Sequence, residues 1–75
     1  MTQGRDIGET VALMRAGHKM RRSGWNGKGM YLELIPASIE TMMQEFVAMK
    51  TVQGTKVPWL CSQTDLLATD WEVAD

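Results

Sequence analysis

The residue types best suited to holding a small molecule lie in one stretch, RRSGWNGKGMYL, residues 21 to 32. Two arginines run into a tryptophan, an asparagine and three glycines before an apolar alternation begins. In such a turn the free backbone N–H groups and the Asn26 amide can face an anion or a base, with the Trp25 indole as a stacking surface. Glycines 24, 27 and 29 let a ligand approach the backbone closely. The same residues also suit a plain strand-turn-strand corner, with Asn26 and Gly27 as an Asn-Gly turn and Trp25 filling the core. The stretch is not a Walker phosphate loop, because that loop ends in Gly-Lys-Ser/Thr at a helix start and the residues after Gly29 read as a strand.

Catalytic chemistry has little to work with. A hydrolase or transferase needs a nucleophile with a base, a carboxylate pair or a metal. The chain has one histidine, His18, and one cysteine, Cys61, far apart in sequence. A lone cysteine in a short apolar context is expected to be a small core residue rather than half of a dyad. Asp65 and Asp70 straddle a short helix and read as a cap and a C-terminal turn, available for ligand contact but not as a catalytic pair. Trp25, Trp59 and Trp71 are core residues by default and nucleobase platforms by chemistry. Seven methionines add adaptable apolar surface, and Met42 with Met43 suits either core filling or a subunit contact.

The elements that must position these residues belong to a short chain. Seventy-five residues, 44% apolar and 23% charged with two prolines, describe one globular domain spanning 1–75, neither disordered nor collagenous. A core of this size is marginal without disulfides, a metal or a partner subunit. One Cys and one His give neither a disulfide nor the usual zinc site within a chain, so oligomerisation is the expected support. The unpaired thiol and the lack of a leader or long apolar run set the expectation of a cytoplasmic protein away from membranes. A formal charge of −1 offers no field for a long nucleic acid, although Lys19, Arg21, Arg22 and Lys28 form a local patch that could meet a small anion.

Residues 6 to 16 place Ile7, Val11 and Met14 at helical spacing, with Asp6 and Glu9 as a capping-box pair and Gly17 as the stop. HKMRRS reads as a strand with Lys19 and Arg21 on one face and Met20 and Arg22 on the other. MYLELI alternates, and its apolar residues on both faces predict a strand covered twice. Residues 37 to 45 read as a helical turn or loop, with Ser38 as a possible cap. FVAMKT and TKVPW flank VQG as a hairpin whose glycine supplies the positive backbone angle, and Pro58 marks an edge or a bulge. Ser62 with Asp65 caps a short helix, and WEV closes the chain as a strand or extended tail. Without a repeated βαβ pattern, the order predicts an α+β domain with a mostly antiparallel sheet.

The N-terminal helix together with KMRRSGWNGKGMYLELIP and VAMKTVQGTKVPWLCSQTDLLATDWEV resembles the small phage-encoded Thoeris anti-defence family, the second of its named types. The likeness covers nearly the whole chain, and two ordered blocks carry it, R-R-x-x-W-N-G-K-G-M and P-W-x-x-S-Q-T-D-L-L-A-x-D-W. The resemblance implies a homo-oligomer, typically a tetramer, that acts in the infected bacterial host. It would bind a cyclic ADP-ribose isomer made by TIR-domain proteins and, in some members, cyclic di- or trinucleotides at separate pockets. Such proteins sequester the signal without cleaving it and use no cofactor or metal. Carried over by motif, Trp25 would stack on a base, and Asn26, Gly27, Lys28 and Gly29 would contact phosphates or ribose. Gln63, Thr64 and Asp65 would meet ribose hydroxyls or a base edge, and Arg21, Arg22 and Lys50 would contribute charge. The alternatives are an enzyme that degrades such signals, an inhibitor that binds protein through a methionine-rich surface, and a nucleic-acid binder.

Overall fold

Asp6 opens the first helix. Its extended backbone lets the carboxylate accept from the Glu9 N–H at 2.8 Å, while the Glu9 side chain accepts from the Asp6 N–H at 3.3 Å. These two bonds satisfy donors that a helix start otherwise leaves orphaned. A computed structural model describes residues 4–25, 29–40 and 44–74, and the helix, α1, runs Ile7–Arg15. Its inward face differs from the expected one by a small rotation. Thr10 and Met14 are buried, Ile7 and Leu13 are half-buried, and Val11 sits at the margin, 37% exposed. Thr10 tolerates burial because its hydroxyl donates to the Asp6 carbonyl at 2.8 Å, so no polar atom is left unpaired.

Five strands follow: β1 Met20–Arg22, β2 Tyr31–Ile35, β3 Phe46–Lys50, β4 Lys56–Pro58 and, after helix α2 at Gln63–Leu66, β5 Trp71–Val73. They form one sheet in the order β4-β3-β2-β1-β5, every pair antiparallel. With its two helices, the fold is the expected α+β arrangement. Gly17 (φ 103°) follows α1 and Gly54 (φ 91°) closes the β3–β4 hairpin, both in the left-handed region that a side chain resists. Pro58 ends the edge strand β4, where a missing N–H leaves no central ladder broken.

Alternation then sorts the side chains. Register pairs Met20 with both Leu32 and Val73, Arg22 with Trp71, and Leu32 with Met49, so these residues share one face of the sheet. That face holds the core, in which Met14, Met20, Leu32 and Trp71 are buried and Ile7, Leu13, Trp25, Leu34, Val47, Met49, Trp59 and Ala68 pack around them. The chain has to return from β4 at one edge to β5 at the other. Trp59 and Ala68 both pack on the core cluster, so this crossing runs over the same face as α1.

The opposite face carries Tyr31, Glu33 and Ile35, all half-buried. β2 was expected to be covered twice. Among the described residues, α1 is the helix in close contact with β2, and the second face is shielded by long side chains such as Lys56 over Glu33 and by Lys19 and Lys50 around Tyr31. No helix among the described residues is long and apolar enough to cross a membrane.

Candidate ligand site

Arg22 organises the site. As the last residue of β1 it lies on the core face opposite Trp71, and its guanidinium reaches two carboxylates, Nε to Asp70 Oδ1 at 2.7 Å and Nη1 to Asp65 Oδ1 at 2.8 Å. Exposure of the three side chains is 19%, 32% and 16% for Arg22, Asp70 and Asp65, so these are partly desolvated, charge-assisted bonds. Asp70 also accepts from the Ser23 hydroxyl at 3.3 Å and the Gly24 N–H at 3.2 Å. The Arg22 hydrogen bond is the main reason the Asp70 carboxyl is held below its usual range; partial burial opposes it, and the Gly24 and Ser23 bonds reinforce it. The same two carboxylates raise Arg22 further, Asp70 first. Arg22 is therefore paired with two carboxylates of its own chain.

The indoles build the wall beside this network. Trp71 is fully buried and donates its Nε1–H to the Asp65 carbonyl at 3.2 Å. Trp25 and Trp59 meet it edge-on, with centroids 5.5 and 5.8 Å away and interplanar angles of 78° and 86°. Such geometry suits the ring quadrupoles and fixes the orientation of both outer rings. Trp25 is half-buried, and its indole N–H has no hydrogen-bond partner among the described residues. The residue is at once part of the core packing and a partly open surface.

Ser62 caps α2 by accepting from the Asp65 N–H at 3.1 Å, as its sequence predicts. This cap and the Arg22 bond hold Asp65 in place, and among the described residues its second carboxylate oxygen accepts no hydrogen bond. Gln63 and Thr64 are exposed at the helix start. Trp25 and the residues 63 to 65 are thus joined through Arg22 and Trp71, although they are distant in sequence. Gly29 is exposed with φ 80°, whereas Asn26, Gly27 and Lys28 lie outside the described residues, as do Met42 and Met43.

Arg21 and Lys50 do not join the others. Arg21 alternates to the opposite face, where its Nε meets Glu72 Oε2 at 2.7 Å, and Lys50 is paired in register with Tyr31 on that same face. Cys61 corrects another expectation: it is exposed, not core. Its thiol donates to the Ser62 carbonyl at 3.5 Å rather than to His18, and local desolvation, then the nearby Asp65 charge, push it above its ordinary value. A thiol held protonated is a poor nucleophile. Among the described residues no group of three or more His, Cys, Asp or Glu side chains could hold a metal. Of the methionines among the described residues, Met14 and Met20 are buried and Met30 and Met49 half-buried.

Sequence reasoning underrated Asp70, the acceptor of three bonds, and missed Arg5. The Arg5 backbone pairs with Trp71 alongside β5, with N–H···O distances of 2.9 and 3.2 Å. Arg5 also lines a cavity of about 360 Å³ with Ser23, Thr69 and Asp70.

A charge-paired corner thus supports a cluster of three indoles beside the start of α2. The model of the Thoeris anti-defense 2-like domain matches residues 5–74. A protein of Bacillus phage SP01 named Thoeris anti-defense 2 is 31% identical over 81 aligned positions, covering 89% of this chain and 91% of that protein. This chain belongs to the Thoeris anti-defense 2-like family, and membership supports an anti-Thoeris role in phage.

Proposed function

We propose that the protein binds and sequesters a cyclic nucleotide immune signal, a cyclic ADP-ribose isomer from TIR proteins or a cyclic oligonucleotide, and releases it uncleaved. One observation carries the reading: Trp25 is held edge-on against a buried Trp71 beside the Arg22–Asp65–Asp70 network, so the indole is fixed before a ligand arrives. A preformed aromatic wall costs little ordering on binding, and a cyclic ligand is likewise already ordered. The Trp25 N–H, the Gln63 and Thr64 side chains and the second Asp65 oxygen, which have no hydrogen-bond partner among the described residues, offer donors and acceptors to base edges and ribose hydroxyls. In this reading Asn26, Gly27, Lys28 and Gly29 supply the contacts to phosphates or ribose.

Sequestration works by stoichiometry and affinity. The protein has to outcompete the immune effector for its signal, and slow release serves that end better than rate enhancement. A homo-oligomer, a tetramer in this reading, stabilises the small core and can complete pockets between protomers. Calorimetry with cyclic ADP-ribose isomers and cyclic di- and trinucleotides tests the proposal. Binding of one of them by the wild type, lost in Trp25→Ala while the oligomer persists, supports sequestration. The absence of heat with every ligand removes it.

A further inference from the structure

We infer that Lys19, Tyr31 and Lys50 form a second anion site, on the sheet face away from the indoles, that takes a phosphate group. Four of the described arginines and lysines are paired with carboxylates. Arg15 meets Glu45 at 2.7 Å, Arg21 meets Glu72 at 2.7 Å, Arg22 meets Asp65 and Asp70, and Lys56 meets Glu33 at 2.6 Å. Lys19 and Lys50 have no carboxylate partner among the described residues. Both are half-buried, and both direct their ammonium groups over one ring, that of Tyr31, at 5.3 and 5.4 Å from its centroid.

Three neighbouring strands create this convergence. Tyr31 on β2 is paired in register with Lys50 on β3, and Lys19 immediately precedes β1 on the same face. A cation–π contact at a partly exposed site is weak and leaves most of an ammonium's charge uncompensated. Among the described acidic residues of this face, Glu33 is held by Lys56 and Glu72 by Arg21. Among the described residues, the face therefore carries two lysine charges that no carboxylate offsets.

A phosphate fits this site better than a carboxylate. It can carry two negative charges against two ammonium groups, and lysine binds phosphate as a point charge. Its further oxygens can accept from the Tyr31 hydroxyl, which has no partner among the described residues. The group could belong to a soluble ligand or to a lipid headgroup.

The test is calorimetric titration of the intact protein with pyrophosphate, together with sedimentation on phosphatidylcholine vesicles with and without phosphatidic acid. Pyrophosphate is expected to bind and to weaken as salt rises. Lys19→Gln and Lys50→Gln should each lower affinity at least fivefold, Lys→Arg at either position should largely preserve it, and Trp25→Ala should leave it unchanged. Binding to free pyrophosphate assigns a soluble ligand, and binding only to vesicles with phosphatidic acid assigns a headgroup. Binding to neither, or binding indifferent to both Gln variants in protein with wild-type circular dichroism, overturns the site. Cyclic-nucleotide binding abolished by Trp25→Ala is a separate readout, so either proposal can fail alone.

Discussion

On the face that α1 covers, the cation Arg22 is gripped by two carboxylates beside three indoles; on the other face, Lys19 and Lys50 share a tyrosine ring and, among the described residues, no carboxylate. Adjacent residues, Arg21 and Arg22, fall on opposite sides because strand alternation sends successive side chains to opposite faces. Charge on the core face is spent on architecture, fixing Asp65 and the chain around Trp25. Charge on the open face is partly uncommitted. A cation's presence in a sequence patch therefore says little about its availability until its pairing is known.

Substitutions that strike the two faces separately sharpen this contrast. Trp71→Ala should have the largest effect, about 3 to 5 kcal/mol, because it empties a fully buried site and removes the surface against which both other indoles lean. Chemical denaturation should show a chain mostly unfolded or close to it, given that a domain of this size holds only about 4 to 11 kcal/mol.

Arg22→Met should cost about 2 to 4 kcal/mol, since two partly buried carboxylates lose their cation. The same corner gives a pH dependence. Asp70 is held below its unfolded value, so its contribution is fully present above about pH 4, the ordinary aspartate range, and is lost as pH falls through the lower folded value. Denaturation followed from pH 6 to pH 2 should show this loss in the wild type and a shallower decline in Asp70→Asn.

Trp25→Ala should abolish signal binding in calorimetry, because it removes the stacking surface for a base, with circular dichroism close to that of the wild type. Arg21→Gln on the open face should be the mildest, at most about 1 kcal/mol by denaturant melts, because its pair with Glu72 is close to half exposed on both sides. An Arg21 effect equal to that of Arg22 would erase the contrast between the faces.

Much of the fold was legible because its signals are local. Asp6 with Glu9, Ser62 with Asp65, and the glycines after α1 and in the β3–β4 turn each act within a few residues. Pro58 named its edge for the same reason. The face of α1 was less legible: spacing favoured Val11, but a threonine that bonds its own helix backbone can be buried, and apolarity alone does not reveal it. The site was legible in residue type and not in pairing. Arg22 meets Asp65 and Asp70 only because β5 returns to pair with β1 across most of the chain. Lys50 could not be assigned a side until the β2–β3 register was fixed, and the exposure of Cys61 depends on how the chain crosses from β4 to β5. These are long-range facts, invisible to periodicity and spacing.

The central claim is sequestration, and the most direct measurement is release. Purified protein is incubated with a panel of cyclic ADP-ribose isomers and cyclic di- and trinucleotides, freed of unbound ligand, heated, and the supernatant is identified by mass spectrometry. The account predicts recovery of an intact cyclic species in stoichiometric proportion to the protein, and none from Trp25→Ala. A cleaved product would instead assign an enzyme, and an empty supernatant from the wild type would contradict the claim.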